Sequence, residues 1–135
     1  MNYEQARAYA VNVSRSGSIL GLDSIENLMH ELGDIQERLK IIHIAGTNGK
    51  GSTGAYLERV LIEAGYRVGR YSSPAVFDPM EVWRINLQSM SHEEYADIME
   101  QVKCACDRMV EKGMEHPTIF EVETAMAFLY FYQKK

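Results

Sequence analysis

A chain of 135 residues, 46% hydrophobic and 24% charged, has the makeup of an ordinary folded protein with one core rather than of a disordered or fibrous one. Its net charge of -5, from 14 basic and 19 acidic residues, argues against a nucleic-acid partner, which draws on a concentrated basic face, and leaves small anionic ligands to local charge. No apolar stretch approaches the roughly 20 residues of a membrane span, and the N-terminus lacks the basic-then-apolar order of a signal peptide, so the expectation is a cytoplasmic protein with no membrane partner.

The pattern predicts a first helix over 3–13, then the small-residue loop Ser14-Arg15-Ser16-Gly17-Ser18. A second helix starts after Asp23 or Ser24, a capping type of residue, with Ile25, Leu28, Met29 and Leu32 on one side and Gly33 to end it. Both helices are expected to flank a sheet. The β-branched run 40–45 predicts the first strand of that sheet, and His43 within it reads as a hydrogen-bonded core histidine. Next comes the most informative segment, Ala45-Gly46-Thr47-Asn48-Gly49-Lys50-Gly51-Ser52, leading into a helix over about 51–64 whose Leu57, Val60, Leu61 and Ala64 recur at helical spacing. Gly65 stops that helix and 66–71 supplies a second strand, which predicts a β-α-β unit with parallel strands and a right-handed crossover.

Ser72-Ser73-Pro74 opens an irregular stretch to about Pro79, because proline biases its predecessor away from helix. Residues 81–87 alternate apolar with polar and predict a short strand or arm, in which Trp83 either stacks on a ligand or covers the sheet as an exposed strand residue. A capping box, Ser91 with Glu94, starts a long helix that turns Tyr95, Ile98, Met99, Val102, Met109 and Val110 to the core and ends at Gly113. Cys104 and Cys106, two apart on that helix, point to nearly opposite sides and can neither bridge each other nor share a metal. Arg67 and Arg70 read as ordinary surface charges. A second capping box, Thr118 with Glu121, starts a helix apolar almost all round, with Val122, Ala125, Met126, Phe128, Leu129 and Phe131. Such a helix needs cover on every side, and only two core strands are evident where a doubly wound sheet has four or more. The chain therefore reads as the N-terminal part of a larger protein, and its last helix, if exposed, as a surface for self-association.

The loop at 45–52 has the chemistry of a phosphate cradle. Glycines accept the φ angles of a tight turn and let successive N–H groups converge on phosphate oxygens. Lys50 supplies the counter-charge, the following helix adds the positive end of its dipole, and Ser52 offers a hydroxyl to a magnesium ion. The spacing departs from the general G-x-x-x-x-G-K-[ST] pattern, because Ile44 stands where that pattern has its first glycine and Gly51 separates Lys50 from Ser52. By loop chemistry alone, a P-loop small-molecule kinase and a non-catalytic nucleotide-binding module stand beside a ligase as alternatives.

Four strings carry a more specific signal: I-H-I-A-G-T-N-G-K-G-S-T at 42–53, E-A-G-Y-R-V-G-R-Y-S-S-P at 63–74, G-L-D-S-I-E-N-L at 21–28 and T-I-F-E-V-E-T-A-M-A-F at 118–128. Together they resemble the folylpolyglutamate synthase and dihydrofolate synthase family, within the Mur ligase-like ATP-dependent ligases. The resemblance implies an α/β fold, a three-layer, P-loop NTPase-like Mur ligase ATP-binding domain with a mainly parallel sheet, of which residues 1–135 would be the N-terminal part. It implies a ligase that adds L-glutamate to dihydropteroate or folates through an acyl phosphate, cleaving ATP to ADP with Mg2+ as the metal.

By the same resemblance Gly46, Thr47, Asn48, Gly49, Lys50, Gly51 and Ser52 bind ATP, with Lys50 also the catalytic cation. Ser52, Ser73 and Glu121 hold the metal, and Gly21, Leu22 and Asp23 line the pterin pocket. Without the resemblance Glu121 is a capping-box residue or a ligand, Ser73 a turn hydroxyl and Asp23 a helix cap. The family's histidine ligand, carboxylated lysine and glutamate-binding domain would lie beyond position 135, so the fragment is expected to bind phosphate without turnover. Residues 77–85 fall where the family has a mobile substrate loop ending in E-R-I, and here Val82 and Trp83 stand between Glu81 and Arg84.

Overall fold

Helices that lie far apart in sequence come together in the computed structural model, which describes residues 1–15, 17 and 21–135, so that Ser16 and Ser18 of the expected first loop lie outside the described residues. Along the chain run α1 (Tyr3–Ser14), α2 (Asp23–Glu31), α3 (Lys50–Glu63), β1 (Gly69–Tyr71), β2 (Trp83–Ile85), β3 (Gln88–Ser89), α4 (His92–Glu111) and α5 (Ile119–Gln133), with 3₁₀ turns at Ile35–Arg38 and Pro79–Val82. They fall into two compact units, Met1–Leu39 with Ser91–Lys134, and Lys40–Met90 with Lys135.

In the first unit, capping fixes where the helices start. Asn2 caps α1 by accepting the Gln5 N–H at 2.8 Å while the Gln5 side chain accepts the Asn2 N–H at 2.9 Å. The expected boxes Ser91 with Glu94 and Thr118 with Glu121 start α4 and α5. The expected Asp23 cap is not made: Leu22 occupies the cap position without a side-chain bond, and Asp23 is the first helical residue, where its charge favours the positive end of the helix. Helices α1 and α2 pack on α4 and α5 instead of flanking a sheet. Their common core includes Ala6, Leu28, Met99, Val102, Val122 and Met126, all completely or almost completely excluded from solvent. Helix α5 obtains the cover its composition demands from α1, α2, α4 and the turn Ile35–Arg38, with Phe120 its main exposed apolar side chain. Val110, expected in the core, stands 48% exposed because it lies on the outer side of the last turn of α4.

In the second unit the sheet is antiparallel, with order β1-β2-β3, and Gly69, Arg70 and Tyr71 face Ile85, Arg84 and Trp83. Parallel strands joined by a crossover, the sequence expectation, are not found among the described residues. Residues 72–82 turn the chain back on β1, so β2 pairs with it in the reverse direction. Asn86 and Leu87, both with positive φ, then reverse the chain again into β3. The run 40–45 has no ladder partner among the described residues, and Ile41, Ile42 and His43 are exposed, so neither the first strand nor the core role of His43 is realised there. Trp83, expected either to stack on a ligand or to cover the sheet as an exposed strand residue, is buried at 2% exposure and stacks on Tyr71. Among the described residues no helix is long and apolar enough to cross a membrane.

Candidate functional site

The phosphate-loop candidate leads directly into α3. Gly49 occupies the helix cap with φ 77, a left-handed conformation that an L side chain adopts only with strain, and Lys50 is the first helical residue. The first carbonyl to enter the helical pattern is that of Gly49, which accepts the Thr53 N–H at 2.9 Å. Among the described residues, the N–H groups of 46–52 donate to no backbone carbonyl, and all seven residues are exposed. The loop therefore presents unused donors and one ammonium group at the positive end of a helix, the arrangement that suits a polyanion.

Behind this loop lies a charge cluster that the sequence did not reveal. Glu58 of α3 is 3% exposed, and its Oε1 accepts from Nη1 of Arg70 at 3.3 Å and from Nη2 of Arg84 at 3.0 Å. Nη2 of Arg70 also donates to the Gly51 carbonyl at 3.0 Å. Arg70 is thus not the ordinary surface charge expected of it. The stripe Leu57, Val60, Leu61 and Ala64 gave no hint of it, because the buried positions of α3 are Gly54 and Glu58, off that stripe, and Val60 is exposed.

Ser73 lies in the exposed bend after β1, and its peptide bond to Pro74 is cis. The segment that follows is held by one carboxylate. Glu81 accepts the N–H groups of Asp78 at 2.7 Å, Phe77 at 2.9 Å and Val76 at 3.2 Å, and these bonds, the one from Asp78 first, hold its carboxyl below the usual glutamate range. They leave the Val76 and Phe77 side chains 77% and 93% exposed.

A separate cleft of about 350 Å³ lies in the helical unit and is lined by residues that include Gly21, Asp23, Asn27, Met109, Glu115 and Glu121. It brings together three of the residues singled out from the sequence; Leu22, 69% exposed, is not part of its lining. Glu121 is 7% exposed, and its Oε1 accepts both the N–H of Thr118 at 2.9 Å and its hydroxyl at 3.0 Å. One of its two oxygens is therefore committed to capping α5. Among the described residues no group of three or more His, Cys, Asp or Glu side chains is arranged to hold a metal ion.

No family model matches the chain. Its fold is that of folylpolyglutamate synthases: 98% of the chain superposes on 30% of the enzyme of Thermotoga maritima with a TM-score of 0.88 and 36% identity. It also covers 31% of a bifunctional folylpolyglutamate synthase/dihydrofolate synthase solved with Mn, AMPPNP and L-glutamate bound, with a TM-score of 0.84 and 33% identity. In sequence, 96% of the chain is 37% identical to the dihydrofolate synthase/folylpolyglutamate synthase of Bacillus subtilis over 129 residues, 30% of that protein. The chain belongs to the folylpolyglutamate synthase and dihydrofolate synthase family, and it spans about a third of the length of the relatives it matches.

Proposed function

We propose that this chain supplies the ATP-phosphate-binding part of a ligase that joins L-glutamate to dihydropteroate or folates, with release of ADP. The observation that carries the reading is the loop at 46–52, whose free N–H groups and Lys50 ammonium meet at the N-terminus of α3. A carboxylate is a poor acyl donor, so the reaction class calls for its phosphorylation before the glutamate amine attacks. Lys50 is assigned to the phosphate oxygens, where its charge offsets what develops on the transferred group.

The donor set also fits a divalent metal. Ser52 and Ser73 offer exposed hydroxyl oxygens, and magnesium takes few protein ligands when nucleotide phosphates and waters complete its shell. Bound there, the metal would neutralise phosphate charge. Glu121 is proposed for metal binding by the oxygen that Thr118 does not use. The cleft holding Gly21 and Asp23 is assigned to the pterin end of the substrate; its size and mixed apolar and polar lining support this. The P-loop NTPase-like parallel sheet and a cytoplasmic site of action belong to the same proposal.

Calorimetry with Mg2+ and a non-hydrolysable ATP analogue tests the reading. Binding by the chain that is weakened about tenfold or more in Lys50→Ala, with folding intact, is the expected result. Equal binding by the two, or none by the unaltered chain, overturns it.

A further inference from the structure

Two guanidinium groups outside the loop, those of Arg70 and Arg84, converge on the Glu58 carboxylate, and their arrangement reaches back to the loop itself. Gly51, Gly54 and Glu58 recur at helical spacing on one face of α3. The Arg70 guanidinium lies along that face. Its Nη2 donates to the Gly51 carbonyl and its Nη1 to Glu58. A Cβ built on Gly54, which lies between them, would stand 3.0 Å from Nη2 and 3.3 Å from Cζ. Position 54 is a buried helical glycine because the guanidinium fills the space a side chain would take.

Arg84 adds a constraint from the sheet. It faces Arg70 directly in the β1–β2 register, and like charges directly opposed on neighbouring strands repel. Glu58, accepting from both, removes that repulsion and ties α3 to β1 and β2 together. Its buried carboxylate in turn depends on both partners, since a charge at this depth is costly unless paired.

We propose that Arg70, with Glu58 and Arg84 behind it, is a positioning residue for nucleotide binding: it fixes the first turn of α3, and with it the phosphate loop, against the antiparallel sheet. The inference rests on the assignment of the loop to ATP phosphates. Arg70 itself touches no phosphate in this scheme. It holds the Gly51 carbonyl, and so sets the direction of the amides in the turn that would meet the anion.

The test pairs a readout at the turn with one at the ligand. Amide hydrogen exchange is followed at Thr53, whose N–H donates to the Gly49 carbonyl, and at the C-terminal end of α3 in the unaltered chain, in Arg70→Lys and in Gly54→Ala. A lysine keeps a charge for Glu58 but lacks the fork that spans two acceptors. An alanine at 54 raises helix propensity, and its Cβ, 3.0 Å from Nη2, obliges the guanidinium to shift. Both variants should speed exchange at Thr53 about tenfold, as expected for the loss of one hydrogen bond to a charged donor, with the far end of α3 unchanged. Both should weaken binding of Mg2+ with the ATP analogue by a similar factor. Unchanged exchange at the turn in either variant overturns the inference, as does uniform acceleration along α3 and the sheet, which would mark a purely structural role. If the unaltered chain binds no analogue, the nucleotide assignment falls, while the exchange data still decide whether Arg70 fixes the turn.

Discussion

Thr118 and Glu121 hold each other across the first turn of α5: the threonine N–H and hydroxyl both donate to Glu121 Oε1, and the glutamate N–H returns a bond to Thr118 Oγ1 at 3.4 Å. The pair is buried, so water does not replace what either partner loses. Thr118→Ala should lower unfolding stability by about 1 kcal/mol, as loss of an N-cap typically does, and Thr118→Ser should restore most of it; urea titration measures both. Glu121→Gln keeps an acceptor for the cap and should fold like the parent chain. A weaker Mg2+ dependence of analogue binding in that variant is the outcome expected of a glutamate that also ligates the metal.

Lys50 is exposed, so replacing it separates binding from folding. Lys50→Ala should leave the urea midpoint unchanged and weaken nucleotide-analogue binding about tenfold or more, the scale of one lost hydrogen bond to a charged group. Lys50→Arg should recover only part of this, because a planar fork does not reproduce a compact ammonium. Calorimetric titration at fixed Mg2+ and fixed ionic strength gives the comparison.

The sequence disclosed the elements whose signals are local. Both capping boxes of α4 and α5, the stop at Gly113 and the glycine-lysine entry to α3 stand where side chain and backbone chemistry put them. It misplaced what depends on partners. The run 40–45 is β-branched, but a strand exists only beside another strand, and none of the described residues supplies one. The reversal at Asn86 and Leu87 was missed because a leucine with φ 70 breaks the usual asparagine-glycine signal of a tight hairpin. In the site, the loop was legible and its support was not: Glu58, Arg70 and Arg84 are spread over residues 58–84 and meet only through the helix face and the strand register.

Cys104 is exposed, whereas Cys106 is buried beside Tyr9 and burial pushes its thiol up to about 12. Nucleophilic thiolate is therefore scarce at Cys106 near neutral pH. A chromogenic disulfide reagent applied to the native chain should titrate one thiol promptly and the second only in denaturant. Cys104→Ser should abolish the prompt reaction.

Acid should loosen the loop at 76–78. The Glu81 carboxyl titrates lower in the folded chain than its ordinary value of 4.5, chiefly through the Asp78, Phe77 and Val76 N–H groups, so its contribution is complete above 4.5 and fades as pH falls through the lowered folded value. Backbone amide shifts of Phe77 and Asp78 followed by NMR should move in that acidic window. In Glu81→Gln the same titration should disappear.

The helical unit is assembled from two separate pieces of the chain, Met1–Leu39 and Ser91–Lys134, with Lys40–Met90 inserted between them. Bringing α1 and α2 onto α4 and α5 closes a long loop, and the entropy of that closure is smaller when the intervening residues have already condensed. Refolding is thereby biased toward an order in which the middle of the chain collapses before its ends meet, and contacts so distant in sequence make the final docking of helices the slow event.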